Sequence, residues 1–140
     1  MDFKKLMSTT DSWGLLGLRL ATGTIFIAHG LPKFGFLGGG GLEGTAGMME
    51  SMGIPLPMVA AFLIAASEAG GGILLIVGFL TRFAAATQVF AMLVAVFLVH
   101  FSNGLAGKGG YQWAMLLGAA AFCLMIEGAG RYSADRSLSR

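Results

Sequence analysis

Four long stretches of the chain carry almost no charge, and short polar segments separate them. The first runs from about Gly14 to Leu31 and the second from Pro57 to Leu80. The third runs from Arg82 to Phe101, and the fourth from Gly110 to about Gly128. Each is close to the roughly 20 mostly apolar residues that a helix needs to cross a bilayer core. Apolar and polar residues do not alternate along them, as they would in a membrane barrel strand. The pattern predicts an all-α fold: an integral membrane four-helix bundle, one domain over residues 1–140. Little more than Leu80-Thr81-Arg82 joins the second and third spans, which predicts a tight antiparallel hairpin.

The first connection is longer and has two parts. Gly38-Gly39-Gly40-Gly41 disfavours helix, because each glycine loses much backbone freedom on ordering. Glu43 to Met52 then predicts a short amphipathic helix in this first outer loop, with Met48, Met49 and Met52 on one face, resting on the membrane surface. Gly53-Ile54-Pro55-Leu56-Pro57 ends it and opens the second span, since proline suits a first helical turn.

Composition narrows the class. Hydrophobic residues make up 56% of the chain and charged residues 11%, against about a quarter charged in soluble domains. So few charges cannot cover the large relative surface of a small soluble domain, and a disordered chain needs the opposite balance. Nine basic residues form no stripe, which argues against a nucleic-acid partner. Cys123 is the only cysteine, so the chain offers no internal disulfide, no CxxC pair and no four-cysteine zinc site.

Lys and Arg set the expected orientation. Lys4, Lys5, Arg82, Arg131, Arg136 and Arg140 fall on one side, and Lys33 and Lys108 on the other. Both termini are therefore expected in the cytoplasm. Lys4 and Lys5 precede the first span, but Arg19 interrupts it and no A-x-A site comes after it, so it is expected to stay as a helix rather than be cleaved. Gly70-Gly71-Gly72, Ala84-Ala85-Ala86 and Gly118-Ala119-Ala120-Ala121 mark where helices approach closely. They fit packing within the chain, with a homo-oligomer face as the alternative.

The ionisable groups inside the spans are the candidate chemistry, because each is costly in hydrocarbon. Arg19 in the first span and Glu68 in the second lie at depths that let them meet, so an intramembrane polar pair is expected. The alternative is that Arg19 snorkels to the headgroups and Glu68 is protonated. His29, Lys33 and His100 fall at one depth under the outer headgroups and form the ligand-binding candidate, with Phe26, Phe34, Phe97 and Phe101 nearby. Imidazole and ammonium donors suit a quinone carbonyl. Two histidines without a carboxylate or thiolate at their depth are a poor metal site, and no metal is expected. Hydrogen bonding to loop carbonyls, with no ligand, is the bland alternative. Glu127 is expected to pair with Arg131 at i+4.

These residues resemble the DoxX family of small membrane proteins. Arg19, then His29-Gly30, then Lys33 is similar to its first-helix pattern. Gly53-Ile54-Pro55, Glu68-x-Gly70-Gly71 and Gly78-Phe79-Leu80-Thr81-Arg82 resemble its entry to and exit from the second helix. The resemblance covers about residues 15–128. It implies a four-helix protein of a bacterial-type plasma (inner) membrane, associated with quinone-linked oxidoreductase complexes. The chain has no complete catalytic motif, no dithiol and no Gly-x-Gly-x-x-Gly nucleotide site. It is at most a subunit of such an enzyme, with no covalently bound cofactor, a quinone as the candidate ligand, and protein partners supplying other redox groups. A non-catalytic membrane scaffold and a small-solute transporter are the competing readings.

Overall fold

The structure, a computed structural model, describes residues 7–139. Lys4, Lys5 and Arg140 of the orientation argument lie outside the described residues. Helix α1 spans Trp13–Lys33, α2 Gly41–Ser51 and α3 Pro57–Val77. Helix α4 spans Thr81–Val94 and runs on through a π-helical turn, Ala95–His100, and a 3-10 turn, Phe101–Asn103. Helix α5 spans Gln112–Glu127, and a short α6, Ala134–Ser139, comes last. The described residues contain no strand. The protein is an all-helical membrane protein.

Among the described residues three helices are long and apolar enough to cross a membrane: Trp13–Lys33, Pro57–Val77 and Thr81–Asn103. The fourth, Gln112–Glu127, is shorter, at about 24 Å of helix rise. The loop before it satisfies its own backbone, as non-helical chain near a membrane must. The amides of Gly110, Tyr111 and Gln112 donate to the carbonyls of Gly107, Gly104 and Leu105.

The helices pack mainly as two pairs, α1 with α3 and α4 with α5, with α3 also against α4. Small residues make the α1–α3 pair possible. A Cβ on Gly23 would sit 2.8 Å from the Gly72 carbonyl oxygen, and one on Gly72 would sit 2.8 Å from the Gly23 oxygen. Close backbone approach of this kind replaces the hydrophobic force that lipid removes. Around it Leu15, Phe26, Leu75, Ala84, Ala85, Ala121 and Leu124 form the buried apolar cluster.

Helix α2 forms where the first loop predicted a helix. Its buried face is Thr45, Ala46 and Met49, and it packs against α3. Met48 is largely exposed, so the three methionines do not form one buried face.

One end of the bundle holds both described chain ends. There Asp135 of α6 clamps the α3–α4 hairpin, accepting from the Leu80 and Thr81 amides at 2.7 and 2.9 Å. Leu80 has φ +48, a left-handed conformation that costs a branched residue energy and needs such support. Gly78, at φ +70, leaves room beside the Arg19 guanidinium that a Cβ would take. The opposite end carries the α1–α3 loop, α2 and the loop after α4.

Candidate functional site

The expected Arg19–Glu68 pair does not form. Arg19 is 1% exposed and turns toward the terminal end. Its Nη1 donates to the Leu75 carbonyl at 2.8 Å and to that of Ile76. Its Nε donates to Ala129 at 3.0 Å, and its Nη2 to Tyr132 at 3.1 Å and Arg131 at 3.4 Å. A cation therefore sits on the open carbonyls at the C-terminal end of α3, where the helix dipole favours positive charge. Arg82 does the same for α5, donating to Met125 at 2.9 Å and to Ile126.

The physical reason is side-chain direction. In a helix each Cα–Cβ bond tilts toward the N-terminus. Helices α1 and α3 are antiparallel, so Arg19 leans toward the terminal end and Glu68 leans toward the loop end. Lys33, the last residue of α1, leans back into the bundle. Its Nζ donates to Glu68 Oε2 at 2.5 Å and to the His29 carbonyl at 3.0 Å. Glu68 is 6% exposed, so its carboxylate and the ammonium satisfy each other largely out of water.

This ion pair lies in the wall of a cavity of about 290 Å³ in the loop-end half of the bundle. His29, Lys33, Glu68 and His100 all line it. The sequence-predicted cluster of His29, Lys33 and His100 is thus brought to one cavity, with Glu68 added. Phe26, Met92, Ala114 and Leu117 supply apolar walls, and Met48 and Met49 of α2 and Trp113 of α5 also face it. Sequence reasoning missed these last three, because nothing in their own segments signals a shared space. Of the other phenylalanines expected near a ring, Phe34 packs edge-on against Phe62. Phe97 and Phe101 line a neighbouring groove instead.

Both histidines are oriented by backbone carbonyls. The Nδ1 of His29 lies 2.9 Å from the Ile25 oxygen, and the Nδ1 of His100 lies 2.8 Å from the Gly109 oxygen. A carbonyl can only accept, so Nδ1 carries the proton in each ring. In the neutral imidazole Nε2 is then the acceptor, and in the cation it is a second donor. The π-helical turn Ala95–His100 places the second ring. Its extra residue rotates the next part of the helix by roughly 100° relative to a regular α-helix.

The expected Glu127–Arg131 pair is also absent, because α5 ends at Glu127 and Gly128 turns the chain at φ +87. Arg131 instead binds Asp11 at 2.6 and 3.1 Å, and Arg136 joins the same carboxylate at 2.6 Å. Hydrogen bonds from Arg131 and then Arg136 hold the Asp11 carboxyl below the usual carboxylate range. Arg131 also stacks over the Trp13 ring at 4.9 Å, at the start of α1.

Among the described residues no group of three or more His, Cys, Asp or Glu can hold a metal ion. The DoxX family model matches residues 14–101. The chain is 36% identical over 111 residues to the Bacillus subtilis protein named "Putative oxidoreductase CatD", covering 79% of this chain and 78% of that one. It is 34% identical over 128 residues to the inner membrane protein YphA of Escherichia coli, covering 87% and 88%. It is 32% identical over 139 residues to the inner membrane protein YqjF of Escherichia coli, covering 96% and 98%. No solved structure matches the chain.

Proposed function

The chain belongs to the DoxX family, and on that premise we propose that it is a quinone-interacting membrane subunit of an oxidoreductase complex. In this reading both termini lie in the cytoplasm and the cavity opens toward the outer half of the bilayer. The observation that carries the proposal is the pairing of His29 and His100. Each ring is fixed through Nδ1 to a carbonyl, and each belongs to the wall of one largely apolar cavity.

A quinone takes up two electrons and two protons when it becomes a hydroquinone. The electrons come from a redox group on a partner protein, since this chain has neither a dithiol nor a nucleotide-binding motif. The chain's own residues bind and orient the head group. A neutral imidazole Nε2 accepts from a hydroquinone hydroxyl, and a protonated one donates to a quinone carbonyl. The Lys33–Glu68 pair places a charged donor and a charged acceptor in the same wall. Phe26, Met92 and Leu117 exclude water around the ring. A relative named as an oxidoreductase supports the redox setting.

The test is binding of a quinone analogue to the purified protein in lipid nanodiscs. Wild type is expected to bind, and His29→Ala and His100→Ala are each expected to weaken binding by about tenfold, the worth of one hydrogen bond to a polar ligand. Thermal stability checks that both variants fold. Absence of binding to wild type, or equal binding by the folded variants, refutes the site and leaves the chain as a scaffold.

A further inference from the structure

A second concavity of about 520 Å³ lies between α4 and α5, beside the head-group cavity. The two share Met92 and Ala114 as lining residues. The π-helical turn serves both: Ala95, Val99 and His100 face the cavity, while Val96 and Phe97 face the groove. Beyond them Phe97, Phe101 and Tyr111 form a continuous aromatic row, with ring centroids 5.9 Å apart at each step. Gly118 and Ala119 are the small residues of its lining on α5.

We infer that this groove binds the hydrocarbon tail of the ligand whose head group occupies the cavity, and so selects a tailed, membrane-resident quinone over a small tail-less one. The inference rests on the quinone reading of the cavity. Volume supports it first, because about 290 Å³ sits at the small end of ligand pockets and suits a ring rather than a ring with its chain. Position supports it second. Met92, an unbranched and adaptable side chain, and the small Ala114 line both spaces, so cavity and groove adjoin there. Chemistry supports it third, since the groove lining contains no charged residue.

A tail gains no hydrophobic energy by leaving lipid for this groove, because both are apolar. The groove acts through packing and alignment. It holds the tail along α4 and α5 and so turns the head group into the cavity. The effect is therefore a preference between ligands rather than a large affinity.

The experiment compares two quinones with the same head group, one without a tail and one with a decyl tail, in nanodiscs. Each affinity is expressed per lipid, so that partitioning cancels. Ala119→Leu fills the groove, and Phe122→Ala widens it; neither residue lines the cavity. Ala119→Leu is expected to weaken the tailed quinone by roughly tenfold, the scale of one misfit apolar group in a pocket, and to leave the tail-less one unchanged. Phe122→Ala is expected to weaken the tailed quinone alone by a smaller factor. If wild type binds both quinones and neither variant changes their ratio, the groove inference is overturned while the cavity reading stands. Equal losses for both quinones overturn it too, since the tail then contributes nothing. If wild type binds neither quinone, the cavity reading fails and the tail site with it.

Discussion

Lys33 closes α1 and turns its ammonium back into the bundle, while Arg19, on the same helix, sends its guanidinium the opposite way relative to Glu68. Depth along the sequence placed Arg19 and Glu68 within reach of each other, but depth is measured at Cα. Both side chains lean toward their own helix N-terminus, and in antiparallel helices that lean separates one pair and joins the other. The identity of the charged groups was legible from the sequence, and their partners were not. The consequence is measurable. Glu68→Gln leaves the Lys33 ammonium poorly paired at a mostly buried site and is expected to cost about 3 kcal/mol, the low end for breaking such a pair. Adding Lys33→Met is expected to recover part of that loss. Arg19→Gln removes a separate set of carbonyl contacts, so its cost should add to that of Glu68→Gln within about 0.5 kcal/mol. Thermal unfolding of the three single variants and the two doubles checks this. A strongly non-additive Arg19–Glu68 cycle contradicts the geometry, and so does an additive Lys33–Glu68 cycle.

At the scale of elements, the glycine run Gly70-Gly71-Gly72 shows how a sequence feature divides once the helix is rolled into place. Gly72 faces the Gly23 carbonyl, Gly71 faces the Gln88 side chain, and Gly70 meets nothing within 4 Å. Gly30 lies over the Ala69 backbone, where an added Cβ would overlap the Ala69 amide nitrogen. The presence of a close seam was legible from small residues in apolar spans, whereas the glycines forming it depend on helix rotation. Gly30→Ala is therefore expected to cost about 1–3 kcal/mol through overpacking. Gly70→Ala is expected to be neutral or to stabilise by up to about 1 kcal/mol, because it adds a methyl on an exposed face and removes a helix-interior glycine. Paired melting curves in one detergent decide it, and equal shifts in the two variants would mean that α1 and α3 do not meet this way. Two other elements show the limit of pattern reading. Helix α2 was legible as a helix, but its packing face against α3 combines Met49 with Thr45 and Ala46 and leaves Met48 outside. The π-helical turn gave no sign, since Ala95-Val96-Phe97-Leu98-Val99-His100 contains no glycine or proline to mark a break. It decides where His100 sits, and so whether the two histidines share a cavity.

For the molecule as a whole, the four apolar runs made the helical membrane fold legible, because each must satisfy its backbone internally. The hydropathy pattern runs past the second and fourth helices, where Gly78-Phe79-Leu80, Gly110-Tyr111 and Gly128 form turns and loops. Orientation is a different question, since a bundle and its inverted copy have the same internal contacts. The proposed answer rests on charge. Arg82, Arg131 and Arg136 lie at the terminal end with Arg19 buried beneath them, while Lys33 and Lys108 lie at the loop end. In the folded protein most of these charges are engaged: Arg19 and Arg82 on carbonyls, Arg131 and Arg136 on Asp11, Lys33 on Glu68. They bias insertion all the same, because the positive-inside rule acts on the chain as each span enters the membrane. On the proposed orientation the cavity opens toward the outer leaflet and the Asp11 cluster meets the cytoplasm. In a Cys123→Ser background, a cysteine at Gly40 is expected to react with an impermeant maleimide in intact cells. A cysteine at Leu138, exposed at the other end, is expected to react only after the membrane is opened. The reverse pattern would invert the protein, turning the histidines and the Lys33–Glu68 pair toward the cytoplasm and placing any partner that feeds the cavity on that side.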